Sequence, residues 1–330
     1  MSLRLAAGVL VVAALAASPA AAGDGPMPTV QQLGSGVLSG DGDTRFVAVP
    51  ASLSTLLEQV EVRGGAVRRT TELPGSWGIP TIAYGVAGEG LSADGRTLVL
   101  GDLAQEYPRR TSGFLVLSAR TLHVLRTIEL KGDFAYDAVS PNARSLYLIQ
   151  HVDPTNTERY VVRRYDLGGG RLVPGRIADR TQKGWVMAGY PQARATSAGG
   201  RWVYTLYANP GGYPFVHALD TVRGVAHCVG LPWTGDQSGF YNMRLSLRNG
   251  DRTLAVHWLS GRRWLAVDTG SWHVAPDRRA GFPWLALGAA VVAAFAGVAA
   301  FLLRARRRRA HELEEELGQL LREPEREAVI

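Results

Sequence analysis

A chain of 330 residues that is 46% hydrophobic is long enough for one large domain or two small ones, and its single cysteine, Cys228, excludes an internal disulfide framework. Stability therefore has to come from packing. The formal net charge of +7 is not a nucleic-acid signal: without the two chain ends the excess is only about +6, and the densest arginine run has another explanation in its position.

The first 22 residues put one basic residue, Arg4, ahead of an apolar stretch from Leu5 to Ala16, and end on Ala20 and Ala22 in an A-x-A arrangement. This is the pattern of a cleaved secretory signal, because the apolar run is shorter than the ~20 residues a helical span needs. The mature chain is expected to begin near Gly23 and to pass through a linker (23–33) into an exported domain over residues 34–275.

That domain has few helix-period segments and many short alternating runs, with Gly and Pro corners about every 8 to 12 residues, which predicts an all-β fold. It is also self-similar. Five stretches share a Ser, a glycine-rich or polar turn and an alternating strand: Leu38–Val49, Leu91–Leu100, Val139–Leu148, Thr196–Leu206 and Ser246–Val256, recurring about every 50 residues. Each is followed by a second strand pair, over Thr55–Leu73, Gly113–Leu130, Tyr160–Ala178, Pro214–Leu231 and Arg262–Val274. Lettering the strands of each unit a to d, the spacing predicts a β-propeller of about five four-stranded blades, with six or seven as the alternatives; radial packing protects the edges of such sheets. Asp166, Asp220 and Asp268 all precede the c-to-d turn, where Asp bonds its own backbone, so Asp220 reads as a turn residue although His217 lies three residues before it.

On these residues the sequence resembles WD40-like and TolB-like bacterial β-propellers, with the S-x-D-G-R-x-L-x-L run at Ser92–Leu100 carrying most of the likeness. The stretch TSAGGRWVYTLYANPGGYPFVHALDT, from Thr196, is similar to one in exported, membrane-anchored propeller proteins of actinobacteria. The resemblance implies the fold over Leu33–Val274 and leaves the activity open.

Signatures of catalysis and metal binding are missing: there is no H-E-x-x-H, C-x-x-C, G-x-S-x-G, G-K-[ST] or D-x-D-x-D-G. GSGVLSG, Gly34–Gly40, resembles a dinucleotide loop but precedes a strand, so no helix N-terminus is on hand for a phosphate. Asp41 and Asp43 read as a solvated turn and Cys228 as a small buried hydrophobe. No cofactor and no catalytic residue is expected.

The two faces of the expected propeller differ. The a-to-b and c-to-d turns are short and polar, whereas the d-to-a and b-to-c connections are longer and hold Trp77, Tyr84, Tyr107, Tyr136, Trp185, Tyr190, Tyr213, Trp233 and Tyr241, interleaved with Arg109, Arg110 and Lys183. Exposed aromatics among cations are what a binding surface uses, which makes Trp77, Tyr107, Arg109, Tyr136, Trp185, Tyr190, Tyr213, Trp233 and Tyr241 the candidate partner-binding set.

After a juxtamembrane linker (276–281), residues 282–303 carry no charge, and at 1.5 Å per residue they make a helix of about 33 Å, enough for a ~30 Å hydrocarbon core. Arg304–Arg309 follow directly, so the positive-inside bias puts the tail (304–330) in the cytoplasm. The sequence thus predicts a single-pass cell-membrane protein whose extracytoplasmic propeller binds an envelope protein or cell-wall ligand. A lactonase-like or quinoprotein-like exported enzyme and a structural scaffold are the alternatives, since a propeller fold alone does not decide between them.

Overall fold

The computed structural model describes residues 29–83, 87–103, 107–156, 158–181, 187–209, 211–233 and 235–277, together with 298, 300–302, 304, 306 and 309. The chain divides into two compact units, Met1–Asp277 and Arg278–Ile330. In the second, the described residues from Val298 to Arg309 are helical. Most of the expected span lies outside the described residues, among which no helix is long and apolar enough to cross a membrane.

Among its described residues the first unit is all β apart from one 3-10 turn. Its first strand, β1 (Thr29–Gln31), falls in the stretch expected to be linker. Sheet 1 then consists of β2 (Val37–Leu38), β3 (Thr44–Pro50), β4 (Ser54–Glu61) and β5 (Val67–Pro74). Sheet 2 holds β6 (Trp77–Thr81), β7 (Thr97–Asp102), β8 (Thr111–Ser118) and β9 (Val124–Lys131). Sheet 3 holds β10 (Phe134–Val139), β11 (Ser145–His151), β12 (Arg159–Asp166) and β13 (Arg171–Leu172), with β14 (Met187–Ala188) added to β12. Sheet 4 runs β15 (Tyr190–Thr196), β16 (Trp202–Ala208), β17 (Phe215–Asp220) and β18 (Val225–Gly230). After the 3-10 turn Ser238–Asn242, sheet 5 runs β19 (Met243–Arg248), β20 (Thr253–Trp258), β21 (Arg263–Asp268) and β22 (Val274–Pro276). Each sheet is an antiparallel meander in chain order; strands b and c fall where the repeat puts them, whereas β6, β10 and β15 take in residues read as d-to-a connections and β19 contains the Ser expected to follow strand a. Five such sheets in series fit a β-propeller.

The sheets stack through their faces. With a side-chain period of two, β7 sends Leu98 and Leu100 toward sheet 1, where they join Phe46, Ala48 and Leu57, and Val99 toward sheet 3, where it meets Phe134, Leu146 and Leu148. Further clusters join sheets 3 and 4 (Tyr147, Ile149, Tyr160, Val203, Tyr207) and sheets 4 and 5 (Tyr204, Leu206, Leu254, Val256, Leu265). Burial of each such side chain stabilises by roughly 1.5–3 kcal/mol. Among the described residues no hydrophobic cluster joins sheet 5 to sheet 1.

Four turn serines explain the repeat. Ser39, Ser92, Ser140 and Ser197 each accept, on Oγ, a hydrogen bond from the backbone N–H five residues on, at 2.9–3.0 Å. Three of them also donate to the residue two places later, Asp41, Asp94 or Asn142. Ser246 does not belong to this set: it lies inside β19, opposite Ala255, and the fifth turn is made instead at Asn249, whose amide donates to Thr253. The aspartates do what their position implies, since Asp166, Asp220 and Asp268 each accept N–H bonds from the c-to-d turn.

β1 is an addition to this plan. It pairs with β6 and extends sheet 2 on its a side. Glycines make the slot: a Cβ on Gly78 would lie 2.9 Å from Val30 Cβ, and one on Gly101 would lie 2.7 Å from Val30 Cγ1.

Candidate functional site

The long connections do not present one row of rings. Tyr213 (61% exposed) and Tyr241 (50%) are on the surface, as is Tyr107, whose ring meets His151 edge-on at 6.0 Å. Trp77, Tyr190 and Trp233 are half-buried. Trp77 opens β6 and donates its indole N–H to Pro74 O; Tyr190 opens β15; Trp233 packs edge-on against Phe240 and Trp264. Tyr136 is a correction: it lies inside β10, 4% exposed, in the core between sheets 2 and 3, and burial pushes its phenol far up. Tyr84, Lys183 and Trp185 lie outside the described residues.

Arg109 is a second correction. Instead of facing a partner, its guanidinium, 13% exposed, donates to Asp102 Oδ1 (2.9 Å), to Asp133 Oδ1 (3.1 Å) and to Phe134 O. His151 Nδ1 stands 3.4 Å from the same Asp133 oxygen. Burial alone would push the Asp133 carboxyl up, but His151 and Arg109 together hold it below its ordinary range. The b-to-c connection of sheet 2 is thereby fastened to the start of sheet 3, because a desolvated guanidinium needs these acceptors.

The connections that carry Tyr213 and Tyr241 are tied to each other by a side chain the sequence did not single out. Gln237 accepts the Asn209 N–H on Oε1 (2.7 Å) and donates from Nε2 to Asn209 O and Gly212 O (both 2.9 Å). It locks the b-to-c turn of sheet 4 onto the segment entering sheet 5. The two exposed tyrosines therefore stand on a fixed frame.

The segments leading into the turn serines hold the feature that sequence reasoning missed. Glu89, Asp137 and Arg194 each sit three residues before the turn serine of sheets 2, 3 and 4; Asp137 is on β10 and Arg194 on β15, whereas Glu89 lies in the segment between β6 and β7. Arg194 contacts both carboxylates, through Nε to Glu89 Oε1 (3.0 Å) and through Nη1 to Asp137 Oδ1 (3.1 Å). It also donates to Thr205 Oγ1 (2.9 Å) and to Asp137 O. Burial acts against the guanidinium's charge, but Glu89 and Asp137 outweigh it and push the group up. Burial raises Glu89, and Arg194 offsets only part of that. One arginine three residues before a turn serine, aligned with acids at the same place of the two preceding units, was the available signal.

Above this triad lies a cavity of about 300 Å³ among the first four sheets, opening beside the short a-to-b turns at Gly40, Ala93 and Ala198. In the seam between sheets 3 and 4, His217 Nδ1 lies 3.6 Å from Cys228 Sγ. Burial pushes this imidazole down to about 4 and the thiol up, so both are neutral at pH 7; an activated thiol needs the opposite shifts. Among the described residues no three His, Cys, Asp or Glu are placed to hold a metal ion.

Sheets of this number and connectivity fit the β-propeller class of domain, and solved structures similar to the chain are found at low identity. TolB from Acinetobacter baumannii is 15% identical, with a TM-score of 0.41 over 73% of this chain and 55% of that chain. A putative TolB from Agrobacterium tumefaciens is 14% identical, with a TM-score of 0.37 over 76% and 79% of the two chains. The Cps50 (Swd1) propeller domain of Myceliophteria thermophila is 11% identical, with a TM-score of 0.39 over 70% and 67%. The chain thus resembles TolB-like and WD40 propellers while spanning about half the length of the first of these. No family profile and no curated protein matches it.

Proposed function

We propose that this chain is a membrane-anchored, extracytoplasmic β-propeller that binds an envelope protein or cell-wall ligand on its long-connection face and catalyses no reaction. The reading rests on one observation above the rest: Tyr213 and Tyr241 are exposed on two different connections that Gln237 ties by three hydrogen bonds. Large aromatic side chains held still in the free protein bind with little ordering cost. The charge step after residue 303 supports the anchor and its orientation. The neutral, buried state of His217 and Cys228 supports a binding role over a catalytic one.

A photo-crosslinking residue at position 213, and another at 241, tests this in intact cells. Both positions are expected to trap the same polypeptide or glycan from outside the membrane, and Gln237→Ala is expected to weaken the trapping. Crosslinks to lipid alone would replace the partner by the bilayer surface. A cysteine at Ala328 that reacts with an impermeant reagent in unopened cells would reverse the orientation.

A further inference from the structure

The cavity among the first four sheets opens on the side of the short turns, so it is separate from the connections that carry Tyr213 and Tyr241. Among the described residues that line it, Glu89 is the only charged side chain. The walls are apolar or small, with Val37, Leu38, Ala138, Val139 and Val203 prominent. Leu38 is 51% exposed at its edge, an apolar side chain left beside an opening. Two glycines let the wall pack closely. A Cβ on Gly90 would fall 2.4 Å from Val99 O, and one on Gly200 would fall 2.6 Å from Ala93 Cβ.

Glu89 keeps 21% of its side chain exposed, and Arg194 is the one described residue that pairs with it. A carboxylate offers about four acceptor sites. Arg194 meanwhile divides its charge between two acids and spends its other donors on Thr205 and on Asp137 O. The base of the cavity therefore carries one negative charge in excess when both acids are ionised, and it has acceptor capacity that no described protein group fills. We infer that the cavity binds a small organic amine in its protonated form, with the ammonium on Glu89 and an apolar body against Leu38, Val139 and Val203. At about 30 Å³ per water-sized group, the space suits a body of roughly ten non-hydrogen atoms.

The probe is phenethylammonium, with 3-phenylpropanoate as an anion of similar shape. Equilibrium dialysis of the full chain in non-ionic detergent is expected to show saturable 1:1 uptake of the amine and none of the anion. Glu89→Gln is expected to weaken uptake at least about tenfold, the worth of a hydrogen bond to a charged group. Ala198→Trp, which changes an exposed residue at the opening and leaves the triad intact, is expected to abolish it. Uptake should also fall in acid as Glu89 takes up a proton, with Arg194, Asp137 and Tyr136 as the titratable groups facing it. Equal uptake of the anion, undiminished uptake by both variants, or no saturable uptake of millimolar amine by the parent would each overturn the inference. None of these outcomes bears on crosslinking at positions 213 and 241.

Discussion

Between sheets 4 and 5, the b strand contributes Leu254 and Val256, which meet Tyr204, Leu206 and Val216, and a ring of aromatics (Phe240, Trp233, Trp264) closes one end. Between sheets 3 and 4 the equivalent places on β16 are Val203 and Thr205, and a polar row, Arg194, Thr205, His217 and Cys228, crosses the sheet in register. The first interface is held by transfer of apolar surface, which tolerates approximate fit. The second holds charge in low dielectric, so it is stable only while each member keeps its partner. That difference makes the seam at sheet 3 the place where a single change has the largest effect.

The comparison is broken most directly by Arg194→Ala, which leaves Asp137 and Glu89 without their cation and should cost about 3–5 kcal/mol in urea unfolding. Leu254→Ala in the apolar interface should cost about 2–5 kcal/mol. If Arg194→Ala proves the milder of the two, the seam is not the more brittle interface.

Acid probes the same seam. Burial pushes His217 down to about 4, Arg194 adding to the effect and Asp137 and Asp179 opposing it. The unfolded chain then binds the extra proton first, so the stability this group allows is complete above its unfolded pKa of ~6.5 and is lost as pH falls toward 4, by about 3 kcal/mol in all. A His217→Leu variant should lose that part of the slope between pH 7 and pH 4, read from thermal unfolding; an unchanged slope assigns it to the carboxylates alone.

Thr205→Val gives β16 the residue found at the equivalent place of β20, Val256. It removes the acceptor of the 2.9 Å bond from Arg194 and should cost about 1 kcal/mol. Smallest are the turns: Ser92→Ala should lose about 1 kcal/mol with its two bonds, whereas Ser246→Ala, away from any turn, should stay within about 0.5 kcal/mol. Equal losses at the two serines would mean that the turn bond carries nothing.

Strand phase and turn chemistry were legible because both are local. An alternating run and a Ser five residues before the next strand report on neighbours along the chain, and strands b and c of all five units fall where that pattern puts them. Ser246 misled because the fifth turn uses Asn249 for the same purpose. Tyr136 and Arg109 misled because a ring or guanidinium beside a Gly or Pro corner reads as surface until the neighbouring sheet supplies a core or two carboxylates. The triad was out of reach for the same reason: Glu89 and Arg194 are 3.0 Å apart in space and lie two repeats apart in the chain.

β1 has a mechanical consequence. It is paired to β6 of sheet 2, and the chain between these two strands builds all of sheet 1. Sheet 1 is therefore fastened to the same neighbour at both ends. A force pulling on the chain ahead of Thr29 falls first on the pairs Thr29 with Thr81, Val30 with Pro80 and Gln31 with Ile79. Only after those let go does tension reach β2 and the packing of Phe46, Ala48 and Leu57 behind it. Three residue pairs thus act as a strain relief, peeling at low load so that the first sheet keeps its core.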